Sequence, residues 1–152
     1  LWRDKNYRGR RNNNSKSIMA LKAGNKIYLS WDDIEDLVNK LCTTIQRVNP
    51  DIKSVTGIKR GGLIPAVMVS HRLNIPYVET INASTLVIDD ICDTGETLKG
   101  LVTGVPTAVL HYKPHTSVFT PSIFAEEHNG DEWIIYPWER RDSEAIQDYL
   151  KK

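Results

Sequence analysis

The sequence predicts an α/β fold: a doubly wound, mostly parallel sheet with flanking helices. Short apolar runs typical of buried strands alternate with segments whose apolar residues recur at helical spacing. Two of the apolar runs end in polar loops, at residues 59–62 and 89–97, and a predicted helix follows each loop. In open α/β sheets, ligands bind beyond the carboxyl ends of the strands. The pattern that predicts the fold therefore also predicts the position of a site.

Length and composition fit one soluble domain. The chain has 152 residues, of which 40% are hydrophobic and 26% charged, enough for a single domain with a core. The apolar runs are too short to span a bilayer, and no signal peptide is recognisable. The two cysteines, Cys42 and Cys92, lie in different predicted elements and indicate neither a disulfide framework nor a zinc site. These features predict a cytoplasmic protein.

The net charge of +1 hides an uneven distribution. Residues 1–18 carry six Lys or Arg against one Asp, which leaves a net negative charge on the rest of the chain. This basic segment has little apolar periodicity, and Met19 stands just before the folded pattern begins. We interpret it as a disordered or artificially added extension, followed by a single domain at residues 19–152. A nucleic-acid-binding arm is the alternative.

The first predicted elements are a short strand at residues 26–29 and a long helix. Ser30 is the expected N-cap of the helix, with Asp33 three residues later approximating a capping box. Apolar residues then recur at helical spacing up to Val48, and Asn49-Pro50 ends the pattern. We expect this helix to be structural.

A second strand, at residues 55–58, leads into the loop Lys59-Arg60-Gly61-Gly62, and a helix is predicted over residues 63–73. Pro65 suits the first turn of that helix. Glycines let the backbone approach an anion closely, and Arg60 supplies positive charge. Two glycines after a strand are common, so this loop alone is a weak signal.

The third strand, at residues 86–88, leads into the most informative loop of the chain. Its residues are Asp89, Asp90, Ile91, Cys92, Asp93, Thr94, Gly95, Glu96 and Thr97. Amides and hydroxyls at a helix N-terminus can hold a phosphate, and carboxylates can hold Mg²⁺. An ordinary strand that ends in solvated acids would explain one or two carboxylates, but not three at this spacing. A phosphatase-type Asp-x-Asp-x-Thr motif fits the spacing less well.

The remaining predicted elements are strands at residues 107–112, 122–125 and 133–136 and a helix at residues 142–150. Residues 77–81 could also form a strand, but only three residues separate them from the strand region that begins at Thr85. Parallel strands need a crossover of about a dozen residues or more. We therefore expect this segment to be a short or irregular edge.

The order hydrophobic-Asp-Asp-x-x-Asp-Thr-Gly-x-Thr at residues 88–97 resembles the phosphoribosyl pyrophosphate (PRPP) signature of the type I phosphoribosyltransferases. Within that family, residues 26–140 look most like the xanthine-guanine branch. The segments that carry this resemblance begin at Leu29, Lys59, Asp89 and Trp133, and the last reads Trp-Ile-Ile-Tyr-Pro-Trp-Glu. The segment that follows departs from the branch, which leaves base specificity less defined than PRPP binding.

The resemblance implies transfer of a phosphoribosyl group from PRPP to a 6-oxopurine, with Mg²⁺ as cofactor and release of pyrophosphate. It implies that Asp93 is the general base near purine N7 and that Asp90 contacts the metal. For the purine it implies Lys113 at the 6-oxo group, Trp133 stacked on the base and Ile134 at its edge. The implied PRPP-binding residues are Arg60, Gly61, Gly62, Asp89, Asp90, Asp93, Thr94, Gly95, Glu96 and Thr97. A core or interface role is the alternative for Trp133.

The chain departs from the family pattern in two places. Glu96 replaces a small residue that is common in the branch, and we expect its carboxylate to point away from a bound phosphate. The flexible hood loop that usually precedes the acidic strand is missing, because residues 82–84 leave no room for it. We therefore expect an open site with slow transfer, PRPP hydrolysis, or a lid from a neighbouring subunit or residues 1–18.

Two functions of different classes remain open at this stage. One is a purine phosphoribosyltransferase of nucleotide salvage, and the other is a non-catalytic or regulatory PRPP- or nucleotide-binding protein on the same fold. Fold alone does not fix function. The family resemblance also implies a homodimer or homotetramer. We expect no membrane partner, and only the basic residues 1–18 hint at nucleic acid.

Overall fold

The computed structural model describes residues 21–101 and 104–140. The predictions for residues 1–18 and for a helix at residues 142–150 lie outside this range. The described elements are β1 (Leu21–Ala23), β2 (Lys26–Tyr28), α1 (Trp31–Val48), β3 (Ser54–Gly57), α2 (Leu63–Leu73), β4 (Thr85–Cys92), α3 (Glu96–Lys99), β5 (Thr107–Tyr112), β6 (Ile123–Glu127) and β7 (Trp133–Ile135).

The described residues fall into two compact units. The first contains residues 37–101 and 104–129, and the second contains residues 21–36 and 130–140. Helix α1 contributes its first turns to the second unit and the rest to the first. The single domain predicted for residues 19–152 stays a prediction.

The larger unit is built on a four-stranded sheet in the order β3-β4-β5-β6. All three strand pairs are parallel, and β4 is paired on both sides, with β3 and with β5. Every residue of β5 is buried, as expected for a strand that lies inside a parallel sheet with covered faces. The predicted α/β class, with a mostly parallel sheet and flanking helices, is confirmed.

The smaller unit contains a three-stranded sheet in the order β1-β2-β7. Strands β2 and β7 pair in parallel, with Ile27 opposite Ile134. Strand β1 pairs antiparallel with β2, and Gly24 adopts a φ of 63° in the tight turn between them. The sequence predicted β2 and β7 as strands but missed β1, which has only three residues, all of them exposed, and is too short for an alternating pattern to be recognised.

The helices follow the local signals in the sequence. At the start of α1, the Ser30 backbone N–H donates to Asp33 Oδ2 at 2.8 Å, and the Asp33 N–H donates to Ser30 Oγ at 3.1 Å. This reciprocal pair confirms the predicted capping box. Helix α2 occupies the predicted residues and ends at Asn74, which adopts a left-handed conformation with a φ of 54°. Helix α3 has only four residues.

Residues 77–81 form no regular strand, which confirms the geometry predicted for them. Tyr77 makes an isolated parallel bridge to Val55 of β3, and the chain then bends before β4. A turn at Ser84 closes the connection, with the Asn82 N–H donating to Thr85 Oγ1 at 3.1 Å. Between Tyr77 and β4 the chain therefore contains no long loop. None of the described helices is long and apolar enough to cross a membrane.

His111, which is buried in β5, makes stability depend on pH. Burial lowers its pKa from 6.5 to about 4, although Glu126 acts in the opposite direction. The unfolded chain therefore binds a proton more readily than the folded chain between these two values. We expect the free energy of unfolding to fall as pH drops from 6.5 to 4.5, with His111 accounting for about 2–3 kcal/mol of the loss.

Urea unfolding of the wild type and of His111→Gln at pH 7.5 and pH 4.5 measures this contribution. The variant should be less stable at neutral pH but should lose less stability on acidification. His71→Gln, at an exposed histidine of α2, is the matched control and should keep the wild-type pH dependence. An unchanged pH dependence in His111→Gln would contradict this assignment.

Candidate functional site

The loop at residues 59–62 connects β3 to α2 at the carboxyl end of the sheet. The Ile58 N–H donates to the Ile88 carbonyl of β4 at 2.9 Å, and the Gly62 N–H donates to the Ile58 carbonyl at 2.8 Å. The peptide bond between Lys59 and Arg60 is cis. Lys59 and Arg60 are exposed, so the loop presents positive charge to solvent while its ends are fixed to the sheet.

The two glycines of this loop are required by close neighbours. A Cβ on Gly61 would lie 2.6 Å from Cγ of Asp90, and one on Gly62 would lie 2.8 Å from the backbone nitrogen of Ile58. Both distances are far below a normal contact, so neither position accepts a side chain without rearrangement. The loop therefore rests directly against the Asp90 carboxylate, and the two polar loops predicted from the sequence come together.

The acidic pair lies within β4 and not after it, which corrects the prediction that the strand ends at Ile88. Strand β4 continues to Cys92 because Ile91 and Cys92 still pair with His111 and Tyr112 of β5. Asp89 and Asp90 are half-buried. Their carboxylates accept backbone hydrogen bonds, from the Asp90 N–H at 2.9 Å and from the Ile91 N–H at 2.8 Å. These bonds fix both side chains locally.

Asp93 lies in the turn after β4, where two residues of the loop that follows β5 contact it. The Thr116 hydroxyl lies 2.8 Å from Asp93 Oδ1 and 2.9 Å from the Asp93 carbonyl oxygen. The Lys113 ammonium lies 4.0 Å from Asp93 Oδ2, and the exposed fractions of the two side chains are 5% for Lys113 and 17% for Asp93. A cation and an anion, both largely shielded from water, therefore face each other in this turn.

Further contacts join the loop after β4 to the loop after β5. The Val118 N–H donates to the Thr94 carbonyl at 2.8 Å, and Cys92 Sγ lies 3.2 Å from Ser117 Oγ. Burial raises the pKa of Cys92, so this thiol is protonated at neutral pH and serves packing. Gly95 has a φ of 81°, and a Cβ there would lie 2.9 Å from Cβ of Phe119. The two loops form one packed unit.

The Thr-Gly-x-Thr segment begins helix α3. The Glu96 N–H lies 3.4 Å from Thr94 Oγ1, and the backbone of Gly95 is buried beneath the loop that follows β5. Thr97 is half-buried, whereas Glu96 is exposed. The expectation that the Glu96 carboxylate points away from a bound phosphate stays a prediction.

Trp133 and Ile134 lie on β7 in the smaller unit. The backbone N–H of Trp133 donates to the Asn25 carbonyl at 2.8 Å. Ile134 is buried and Trp133 is half-buried. Trp138 stacks on Tyr136 with ring centroids 4.9 Å apart. The base contacts implied for Trp133 and Ile134 stay predictions.

Thr116 and Ser117 were missed by the sequence reasoning. No motif marks them, and their partners are 23 and 25 residues away in the chain. One signal was available: they follow the predicted strand at residues 107–112, and loops after neighbouring parallel strands meet at one edge of the sheet.

The acidic pair has the oxygen chemistry that Mg²⁺ requires. Among the described residues, no group of three or more His, Cys, Asp or Glu is placed to hold a metal by itself. Mg²⁺ is usually held by one or two carboxylates together with water and substrate phosphates. Asp89 and Asp90 fit that mode by their chemistry, because they are two adjacent, half-buried carboxylates on one strand.

Comparison with known proteins gives relatives that carry a phosphoribosyltransferase name. No protein-family model matches the chain. The xanthine-guanine phosphoribosyltransferase of Chromohalobacter salexigens is 29% identical over 136 residues, covering 73% of this chain and 82% of the relative.

Two solved structures share the fold. A purine phosphoribosyltransferase from Pyrococcus horikoshii superimposes with a TM-score of 0.65 at 24% identity, covering 82% of this chain and 100% of that one. A hypothetical protein from Neisseria gonorrhoeae with bound ppGpp superimposes with a TM-score of 0.61 at 23% identity. This match covers 80% of this chain and 93% of that one. The predicted resemblance to the xanthine-guanine branch and the predicted type I phosphoribosyltransferase fold are confirmed.

The packing of Gly95 can be measured by substitution. Gly95→Ala should destabilise the protein by about 2–4 kcal/mol, because it adds a steric clash to the backbone strain of a positive φ. Gly24→Ala is the matched control: its φ of 63° imposes similar strain, but a Cβ there meets nothing within 4 Å. It should cost about 1 kcal/mol. Urea unfolding of both variants measures the difference, and equal losses would contradict the close packing of the two loops.

Proposed function

We propose that this chain, whose fold is that of the type I phosphoribosyltransferases, transfers the 5-phosphoribosyl group of PRPP to a 6-oxopurine and releases pyrophosphate. The observation that carries the proposal is the pair formed by the Asp93 carboxylate and the Lys113 ammonium, 4.0 Å apart, directly beside the Thr-Gly-x-Thr turn. The similarity to xanthine-guanine phosphoribosyltransferases supports it.

This pair matches one edge of a 6-oxopurine. Guanine presents its O6 and N7 side by side on that edge, and xanthine and hypoxanthine share the arrangement. The ammonium of Lys113 would donate to O6, while the carboxylate of Asp93 would accept the proton from N7. Because both side chains are largely shielded from water, each contact would be stronger than at the surface.

The PRPP-binding residues are proposed on segments already described: the loop at residues 59–62, the last part of β4, and the turn with the start of α3 at residues 93–97. Arg60, with the backbone of Gly61 and Gly62, would contact the pyrophosphate. Asp89 and Asp90 would face the ribose hydroxyls. The hydroxyls of Thr94 and Thr97, with the backbone amides of residues 94–97, would hold the 5′-phosphate, and the exposed carboxylate of Glu96 would stay clear of it. Each assignment follows the family motif.

The proposed reaction requires these residues to orient the ribose and to stabilise the charges that develop. The anomeric carbon becomes cation-like as pyrophosphate leaves. Asp89 and Asp90 would orient the ribose, and the positive charge of Arg60 would stabilise the negative charge of the leaving pyrophosphate. Asp93 would take the N7 proton and increase the electron density on the attacking purine. Mg²⁺, when bound at Asp90, would neutralise charge on the pyrophosphate.

Trp133 and Ile134 are proposed to contact the base through stacking and through its edge. Support comes from the matching Trp-Ile segment of the xanthine-guanine branch and from the half-buried state of Trp133. The competing role for Trp133 is packing within its own sheet. Loss of purine affinity in Trp133→Ala without loss of PRPP affinity would favour base contact.

The short connection between Tyr77 and β4 has a kinetic consequence under this proposal. Closed active sites exclude water and strengthen electrostatic stabilisation. A site without a hood admits water that can attack the anomeric carbon. We expect slow transfer with appreciable PRPP hydrolysis, unless a neighbouring subunit or residues 1–18 supply the lid.

A regulatory nucleotide-binding protein on the same fold is the second candidate. The observation in its favour is that the Neisseria gonorrhoeae structure with the same fold contains ppGpp. Such a protein would use the same loops for the phosphates of a bound nucleotide. It would not need a general base or release pyrophosphate.

Pyrophosphate release separates the two candidates. The full chain is incubated with PRPP, Mg²⁺ and guanine, xanthine or hypoxanthine in turn, and then without base and without Mg²⁺. Base-dependent release supports the transferase, and release without base measures hydrolysis. Nucleotide binding without release under any condition would favour the regulatory protein, and activity without Mg²⁺ would refute the proposed cofactor.

Asp93→Asn should lower kcat by about 10²- to 10⁴-fold, because general-base catalysis typically contributes that much. PRPP should still bind, and titration calorimetry tests this. Asp51→Asn is the control, at an exposed aspartate before β3, and should keep wild-type kinetics. Wild-type kcat in Asp93→Asn would remove Asp93 from the mechanism.

Lys113→Ala should raise the KM for the purine by about tenfold or more while leaving the Kd for PRPP within about twofold, because a charge-assisted hydrogen bond to the base is lost. Lys53→Ala, at an exposed lysine, is the matched control. Similar losses for both ligands, together with a lowered Tm, would indicate that Lys113 serves the fold instead.

A further inference from the structure

Thr116 combines three properties that the family motif does not address. It is exposed on the loop after β5. Its hydroxyl lies 2.8 Å from Asp93 Oδ1 and 2.9 Å from the Asp93 carbonyl oxygen. Its own backbone N–H donates to the Lys113 carbonyl at 3.3 Å. Thr116 therefore bridges the proposed general base and the residue proposed to contact the purine.

We infer that Thr116 is a positioning residue that holds the Asp93 carboxylate with one oxygen directed at the purine. The inference rests on the proposed function. It concerns a residue that binds neither substrate and acts only through Asp93.

Hydrogen bonding gives the two carboxylate oxygens of Asp93 different roles. The hydroxyl of Thr116 has a single proton, and a carboxylate oxygen is a stronger acceptor than a carbonyl oxygen. Donation to Oδ1 occupies that oxygen and fixes the rotation of the carboxylate. The other oxygen, Oδ2, faces the Lys113 ammonium at 4.0 Å. Oδ2 is then the oxygen that accepts the purine proton, next to the ammonium that contacts O6.

The loop gives Thr116 a fixed position from which to act. On its C-terminal side, the Val118 N–H donates to the Thr94 carbonyl at 2.8 Å. Ser117 Oγ lies 3.2 Å from Cys92 Sγ and donates to the Phe119 carbonyl at 2.6 Å. The β-branch of threonine also restricts its χ1 rotation. Thr116 therefore restricts the orientation of the Asp93 carboxylate more than a side chain with free χ1 rotation would.

Three single variants test the inference in the full chain. Thr116→Val keeps the shape and removes the hydroxyl, and Thr116→Ser restores the hydroxyl. Thr120→Val is the matched control: Thr120 lies on the same loop, and its hydroxyl lies 3.3 Å from the Tyr112 hydroxyl.

We expect Thr116→Val to lower kcat by about 10- to 150-fold, the usual effect of losing one hydrogen bond to a charged group. The KM for PRPP should stay within about twofold. Thr116→Ser should recover most of the rate, and Thr120→Val should keep wild-type kcat. Thermal unfolding of each variant shows that the fold is retained.

A double-mutant cycle separates positioning from a structural effect. In the Asp93→Asn background, adding Thr116→Val should lower kcat by less than about twofold, because the group being positioned no longer acts as a base. A purely structural residue would lower the rate by the same factor in both backgrounds.

Each outcome bears on the inference separately from the proposed function. In an active wild type, unchanged kcat in Thr116→Val, or equal factors in both backgrounds, would overturn the positioning role and leave the transferase intact. Failure of Thr116→Ser to recover activity would also overturn it. A wild-type chain that releases no pyrophosphate with any purine would overturn the proposed function, and the inference with it.

Discussion

The parallel pairing of β4 with β5 is the constraint on which the candidate site depends. Pairing continues past the acidic pair to Cys92 and Tyr112, so both strands end at the same level of the sheet. The loops that follow therefore start side by side, and the contacts from Thr116, Ser117 and Val118 join them. Without this register, Asp93 would be an isolated acid in a solvent-exposed turn. With it, the acid faces a buried lysine and a fixed hydroxyl.

Local signals made most of the larger elements predictable. The bounds of α2 and β5 match the sequence prediction, and the Ser30–Asp33 capping box marks the start of α1. The sequence signals that predict these elements, such as helix caps and apolar periodicity, lie within the elements or next to them in the chain. The connection before β4 was also predictable, because chain length limits what three residues can bridge. The meeting of the two polar loops followed from the rule that strands of a parallel sheet expose their carboxyl ends at one edge.

Features that depend on distant partners were not predictable. Asp89 and Asp90 have low strand propensity, yet they remain in β4 because β5 pairs with the residues on both sides of them. The three-stranded sheet requires residues 26–28 to pair with residues 133–135, and no local pattern encodes that choice. The role of Thr116 was also unpredictable, because it depends on a hydrogen bond to Asp93, which is 23 residues away in the chain.

The contact between the Gly61 backbone and the Asp90 carboxylate restricts substitution at both positions. The two groups occupy adjoining space, because a Cβ on Gly61 would lie 2.6 Å from Cγ of Asp90. A side chain at residue 61 would therefore displace the Asp90 carboxylate, and a longer side chain at residue 90 would press on the backbone of Gly61. The glycine of the loop and the aspartate of the neighbouring strand thus limit each other's size, so a substitution at either position changes which residues the other accepts.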